Sequence, residues 1–183
     1  MKSLGISKAA VMGVSQGGMI AQYLAVDYPE LVEKLVLAVT LSRQNEMLQE
    51  VIRKWTVLAK QGDYTGLMMD TAEHSYTEAY LKKYRFLYPL LGAIGKPKSF
   101  DRFLVQANAC MQHNSDSELG KIECPTFIIG GSCDKIVGAE SAVALAGKIK
   151  NSELFIYEGY GHAVYEEAKD FNKRVLHFLM SEC

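Results

Sequence analysis

No run of about 18 consecutive apolar residues occurs anywhere in the chain, so no helix long enough to cross a bilayer is expected. Lysines stand at positions 2 and 8, but no apolar core of leader length follows them before the first glycine-rich turn. Cysteine is scarce. Cys110, Cys124, Cys133 and Cys183 show neither Cys-x-x-Cys spacing nor a neighbouring histidine pair, which argues against a zinc site and against a disulfide framework. One-signed charge is lacking too: 20 basic and 21 acidic residues are interspersed, the formal net charge is −1, and no sustained basic face forms. Nucleic acid and an anionic membrane are therefore not expected partners. Repeats and low-complexity stretches are absent, and 183 residues suit one domain. A soluble, cytoplasmic protein with reduced thiols is the expectation.

What the chain does have is a serine between glycines. Gly13-Val14-Ser15-Gln16-Gly17-Gly18 stands where an apolar run (Ala9, Ala10, Val11, Met12) gives way to helical spacing through Met19, Ile20, Tyr23 and Leu24. A serine forced into a sharp strand-to-helix turn holds its hydroxyl clear of the backbone, and only glycine leaves enough room on either side. Tyr28-Pro29-Glu30 ends the helix.

A serine hydroxyl is a weak nucleophile unless a base takes its proton and a third group orients that base. His162 is the candidate base, since Gly159-Tyr160-Gly161-His162 follows the strand pattern Leu154 to Tyr157. Asp134 is the candidate carboxylate. It follows the buried-strand pattern Thr126-Phe127-Ile128-Ile129 in the loop Gly131 to Val137. Serine, aspartate, histidine is also the chain order of one triad arrangement. The other histidines, His74, His113 and His177, read as packing or solvated residues, with His113 able to line a pocket.

Further strands are expected at Leu35 to Val39 and Leu154 to Tyr157, and further helices at Ala139 to Ile149 and at the C-terminus. The terminal helix should open on Glu166 and Glu167, where carboxylates favour the helix dipole, and bury Ala168, Phe171, Val175 and Phe178. Residues 43 to 118 read as a helical cap inserted into a core of residues 1–42 and 119–183. Within the cap, helices are expected near Asn45 to Gln61, Thr77 to Pro89 and Ser99 to Asn114, with weaker structure around Thr65 to His74. A stripe of Met68, Met69, Tyr76, Tyr80, Tyr84, Phe86, Leu87 and Tyr88 is expected to form the cap's core.

The elbow at Gly13 to Gly17, the acid loop and the Gly-x-Gly-His loop together resemble the α/β-hydrolase family. Gly17-Gly18-Met19-Ile20-Ala21-Gln22 is especially similar to its lactonase, esterase and non-haem haloperoxidase-like branch. The resemblance implies an α/β fold with a largely parallel sheet lacking its N-terminal strands, plus the inserted cap. It implies Ser15 as nucleophile, Asp134 as acid, His162 as base and the Gln16 amide as oxyanion donor. Hydrolysis of a small ester, thioester or lactone through an acyl-enzyme would follow, with a small acyl substrate and with no metal or organic cofactor. Carbon–carbon bond hydrolysis and perhydrolysis stay open, because pocket shape rather than the triad chooses among them.

Two departures from the family pattern stand out. Gly138 occupies a place where many relatives have proline, and members usually have roughly 70 to 90 residues before the elbow. The absent stretch would hold the first strands and a second oxyanion donor. A truncated product, a misplaced start and a fragment all fit. In any of these, the strand Lys8 to Met12 becomes a sheet edge able to pair with a second copy. A non-catalytic remnant that oligomerises, or needs a partner to complete sheet and oxyanion hole, is the alternative reading.

Overall fold

A computed structural model of the chain describes residues 2–181. Four parallel strands, β1 (Ala9–Val14), β2 (Val32–Ala38), β3 (Thr126–Gly131) and β4 (Ser152–Tyr157), lie side by side in chain order. Helix α1 (Gln16–Asp27) connects β1 to β2, and α7 (Ala139–Ala146) connects β3 to β4. Parallel neighbours need such crossovers, because the chain must return to the starting end of the sheet.

Alternation along the inner strands sorts the core into two layers. Leu35 and Leu37 of β2 and Ile128 of β3 point to one face, where they meet Ala21, Ala25, Ala142 and Leu145 of α1 and α7. Val36, Ala38, Phe127 and Ile129 point to the other. There they meet Val164 of the one-turn helix α8 (Val164–Glu167) and Phe171, Val175 and Phe178 of α9 (Phe171–Met180). The expected buried stripe of the last helix is observed. Its expected continuity is not: Ala168 leaves helical geometry, and the segment divides into α8 and α9.

Between β2 and β3 the chain builds α2 (Glu46–Gln61), α3 (Tyr64–Ser75), α4 (Glu78–Tyr84), α5 (Tyr88–Ile94) and α6 (Asp101–Gln112). Asn45 and Asp63 start α2 and α3 by accepting N–H bonds from Leu48 and Gly66, and Gly62 ends α2 in the left-handed region at φ 69°. Where weak structure was expected, α3 is a full helix of 12 residues. Its Asp70 is buried and accepts from Trp55 Nε1 at 2.8 Å and from Lys54, a tertiary tie that local propensity does not report.

The tyrosine- and methionine-rich stripe is not the core of this insertion. Leu48, Val51, Ile52, Trp55, Leu67 and Ala107 form it, joined to Met19, Leu41, Ile136 and Val137 of the sheet layer. Phe86 is 74% exposed, and the half-buried Tyr76, Tyr80 and Tyr84 form a separate row, Tyr76 stacked on Tyr80 at 4.2 Å and Tyr80 tilted against Tyr84 at 4.6 Å between centroids. The segment before β1 forms a 3-10 turn at Lys2–Leu4, and Met1 lies outside the described residues.

Candidate active site

Ser15, Asp134 and His162 all follow C-terminal ends of strands, the end at which open parallel sheets gather ligands. Ser15 comes directly after β1, with φ 52° and ψ −120°, a backbone conformation that costs about 1–3 kcal/mol and needs external support. Glycine supplies part of that support: a Cβ on Gly13 would stand 2.4 Å from the carbonyl oxygen of Gly17, and one on Gly18 would stand 2.6 Å from the Thr40 side chain. Gly17 itself faces open space, so the turn does not require the second glycine of the motif.

The remaining support comes from a turn that the sequence did not advertise. Val39 adopts φ 44°, rare for a β-branched residue, and is held there by its N–H bond to Ile129 O at 2.8 Å and by full burial. This turn aims Thr40 at the elbow, where its hydroxyl donates to Ser15 O at 2.7 Å. Ser15 N–H donates to Ala38 O at 2.9 Å, so both sides of the serine peptide are tied to the end of β2.

His162 has further to travel. Ser15 leaves β1 and His162 leaves β4, three strand spacings or about 14 Å away, so the histidine loop must cross the end of β3. Gly131 permits the crossing, since a Cβ there would stand 2.5 Å from the carbonyl oxygens of Tyr160 and Gly161. Cys133 N–H donates to Tyr160 O at 2.9 Å, and Gly159 N–H donates to Ser132 Oγ at 2.9 Å, so the acid loop and the histidine loop are bonded together.

The three side chains meet. Asp134 Oδ1 accepts the N–H groups of Ile136 and Val137 at 2.8 and 3.0 Å, which leaves Oδ2 to accept from His162 Nδ1 at 2.8 Å. An ionised carboxylate has no proton to give, so the imidazole carries its proton on Nδ1 and offers the Nε2 lone pair to Ser15 Oγ–H at 2.8 Å. The side chains of His162 and Asp134 are 7% and 1% exposed, so this hydrogen bond lies in a low-dielectric setting, whereas Ser15 is half-buried and reachable.

Gln16 opens α1, where the first amides precede any intrahelical partner and face an incoming anion. Its side chain donates to Gln106 O at 3.2 Å and borders a groove of about 320 Å3 with Met19, Ile20, Tyr23, Cys110 and His113. His113 thus lines a cavity from the inserted helices, with its Nε2 3.2 Å from Leu41 O and its pKa lowered by burial. A larger groove of about 470 Å3 between β4 and α9 includes none of Ser15, Asp134 and His162. His74 packs edge-on against Trp55, and His177 stands exposed on α9. Among the described residues no cluster of His, Cys, Asp and Glu suits a metal ion, and no helix is long and apolar enough to cross a membrane.

Comparison with known proteins agrees with this architecture. The chain is 30% identical over 96% of its length to a 2-hydroxy-6-oxononadienedioate/2-hydroxy-6-oxononatrienedioate hydrolase of Klebsiella pneumoniae, and covers 64% of that protein. It is 28% identical over 98% of its length to a 2-hydroxy-6-oxo-6-phenylhexa-2,4-dienoate hydrolase of Comamonas testosteroni, covering 65%. It therefore spans just under two thirds of the length of these relatives. Among solved structures, an α/β-hydrolase enzyme from a Medee basin deep-sea metagenome library superposes with TM-score 0.91 at 26% identity, over 100% of this chain and 68% of that one. The enol-lactonase of Burkholderia xenovorans superposes with TM-score 0.86 at 21% identity, over 99% and 69%. A family model described as alpha/beta hydrolase fold matches residues 1–169, and with this match the chain belongs to the α/β-hydrolase fold family.

Proposed function

We propose that the chain is a serine hydrolase of small esters, thioesters or lactones, acting through an acyl-enzyme on Ser15. The observation that carries this reading is the unbroken relay from Ser15 Oγ through both His162 ring nitrogens to Asp134, with 2.8 Å at each step. His162 Nε2 takes the hydroxyl proton as Ser15 Oγ attacks the substrate carbonyl, and Asp134 stabilises the imidazolium that results. The Gln16 amide donates to the developing oxyanion, and His162 returns the proton to the departing alcohol, thiol or ring oxygen. Water then enters by the same route and releases the acid. The names of the relatives support attack on a carbonyl: one set carries a 6-oxo group in the substrate name, and the solved lactonase a ring ester.

The groove beside Gln16 is the acyl site in this reading, with Met19, Ile20 and Cys110 supplying apolar wall. A fluorophosphonate probe should label the purified chain at Ser15 and leave Ser15→Ala unlabelled, with short-chain ester turnover in that variant down by about 10⁴-fold or more. Equal labelling of both proteins would sink the assignment.

The open sheet edge favours a second reading, in which the chain works only when its sheet is completed. Ser15 N–H faces β2, so by alternation Gly13 and Val11 do as well, and Ala10, Met12 and Val14 turn their amide groups outward at the edge. Within Ala9–Val14 that edge carries no charge, Lys8 standing just before it, whereas exposed edges are ordinarily blunted by charge, proline or a covering element. A second copy pairing through Ala9–Val14 would cover it. Light scattering should report a dimer that Met12→Lys converts to monomer, whereas a monodisperse wild-type monomer rejects the pairing.

A further inference from the structure

Glu166 and Glu167 do not act as dipole partners at the start of a long helix. They reach away from the sheet to the turn between α3 and α4, residues Ser75 to Thr77. Tyr76 OH donates to Glu166 Oε2 at 2.6 Å; Thr77 donates through its N–H to Glu167 Oε1 at 3.1 Å and through its hydroxyl to Oε2 at 2.6 Å. Burial and the adjacent Glu166 carboxylate push the Tyr76 phenol up, so it stays protonated and keeps donating. Beside them Ala163 N–H donates to Ser75 O at 2.9 Å. Gly161 must lack a side chain, because a Cβ would stand 2.7 Å from the same oxygen.

These contacts hold the residues on either side of His162. Gly161 and Ala163, its immediate neighbours, both lie on the Ser75 carbonyl, and α8 follows at once. A single helical turn has little stability of its own, so α8 depends on what it is fastened to. Val164 fastens it to the sheet core, Glu167 fastens its other side to the inserted helices, and Glu167 serves that second partner as well. Thr77 is the N-cap of α4 and accepts from Tyr80 N–H at 3.2 Å; a capping box would have the side chain at position 80 accept from Thr77 N–H in return. Tyrosine is no such acceptor, and Glu167 supplies the missing carboxylate from across the seam.

We infer that Glu167, clasped by Thr77, is a positioning residue for His162: it locks the inserted helices onto the histidine loop and fixes the imidazole between Ser15 and Asp134. The inference rests on the hydrolase reading for its consequence in turnover, and on geometry alone for its consequence in the ring. Both ring nitrogens are engaged at 2.8 Å, and a displacement of about 1 Å in such a constellation can cost on the order of 10²-fold in rate.

Glu167→Ala should lower kcat by roughly 10–100-fold and leave KM within about twofold, since the clasp lies outside the groove beside Gln16. Glu167→Gln, which keeps an acceptor for Thr77, should recover most of the loss. Thr77→Val, nearly isosteric, should reproduce the defect and serves if Glu167→Ala does not fold. Proton NMR gives a readout independent of turnover: the low-field His162 Nδ1 proton of the wild type should broaden into exchange in Glu167→Ala at temperatures well below unfolding. A sharp, unshifted proton together with a wild-type rate of fluorophosphonate labelling overturns the proposal. If the wild type itself is not labelled, the hydrolase reading fails, and the Nδ1 proton alone decides: lost in Glu167→Ala it supports the clasp, retained it refutes it.

Discussion

The two halves of the candidate site mix backbone sterics and polar bonds in different proportions. On the side of the candidate nucleophile, geometry comes chiefly from backbone sterics: a positive φ at Ser15, no Cβ at Gly13 or Gly18, and a second positive φ at Val39, at the ends of β1 and β2. On the side of the candidate acid and base, geometry comes from polar bonds: Asp134 held by two amides, the two loops bonded to each other, and the histidine loop and α8 bonded to the turn between α3 and α4. The first half draws its support from the adjoining end of β2, through Ala38 and Thr40. The second depends on partners from three parts of the chain, and it is the half that is buried. A polar relay gains most from a dry setting, where each hydrogen bond counts for more than in water.

The sharpest way to break the acid–base half without disturbing its packing is Asp134→Asn. The Ile136 and Val137 amides demand an acceptor, so the oxygen of the new carboxamide stays on them and its NH2 turns toward His162 Nδ1. The imidazole must then accept at Nδ1 and carry its proton on Nε2, where it faces Ser15 with no lone pair to offer. Turnover and labelling should fall by about 10⁴-fold, with circular dichroism and melting temperature near those of the wild type. A decrease of less than tenfold would mean that the ring is oriented by something other than this carboxylate.

The same contrast explains what could be read from the sequence. The nucleophile half is local: a glycine-bracketed serine at a change from strand to helix spacing is visible within six residues, and Ser15 follows from it. Asp134 and His162 were legible because each stands just beyond an apolar strand pattern, and the parallel sheet brings those ends together. The clasp was not legible. Glu167 and Thr77 are 90 residues apart, and nothing in Ala163-Val164-Tyr165-Glu166-Glu167 distinguishes a carboxylate that caps another helix from one that favours its own. Val39 was hidden for a related reason, since a positive φ at a β-branched residue is imposed by the tertiary bonds around it. In the insertion, tyrosine spacing suggested a core, whereas Trp55 bonded to Asp70 and surrounded by Leu48, Val51 and Ile52 marks the true one.

Sterics on the nucleophile side can be tested glycine by glycine, because the two that bracket Ser15 meet different surroundings. In Gly13→Ala the new methyl would lie 2.4 Å from a backbone oxygen, which cannot yield as a flexible side chain would. The elbow must open, at a cost of about 3 kcal/mol, and serine labelling should be lost with it. Gly17→Ala meets nothing within 4 Å and stands in α1, where alanine is the better helix former. That variant should gain about 0.5–1 kcal/mol in urea unfolding and keep its labelling rate. Equal damage from both substitutions would mean that the space beside Gly17 is filled, by substrate or by a partner chain seated at the open edge, and the pattern would then locate that occupant within one helical turn of Ser15.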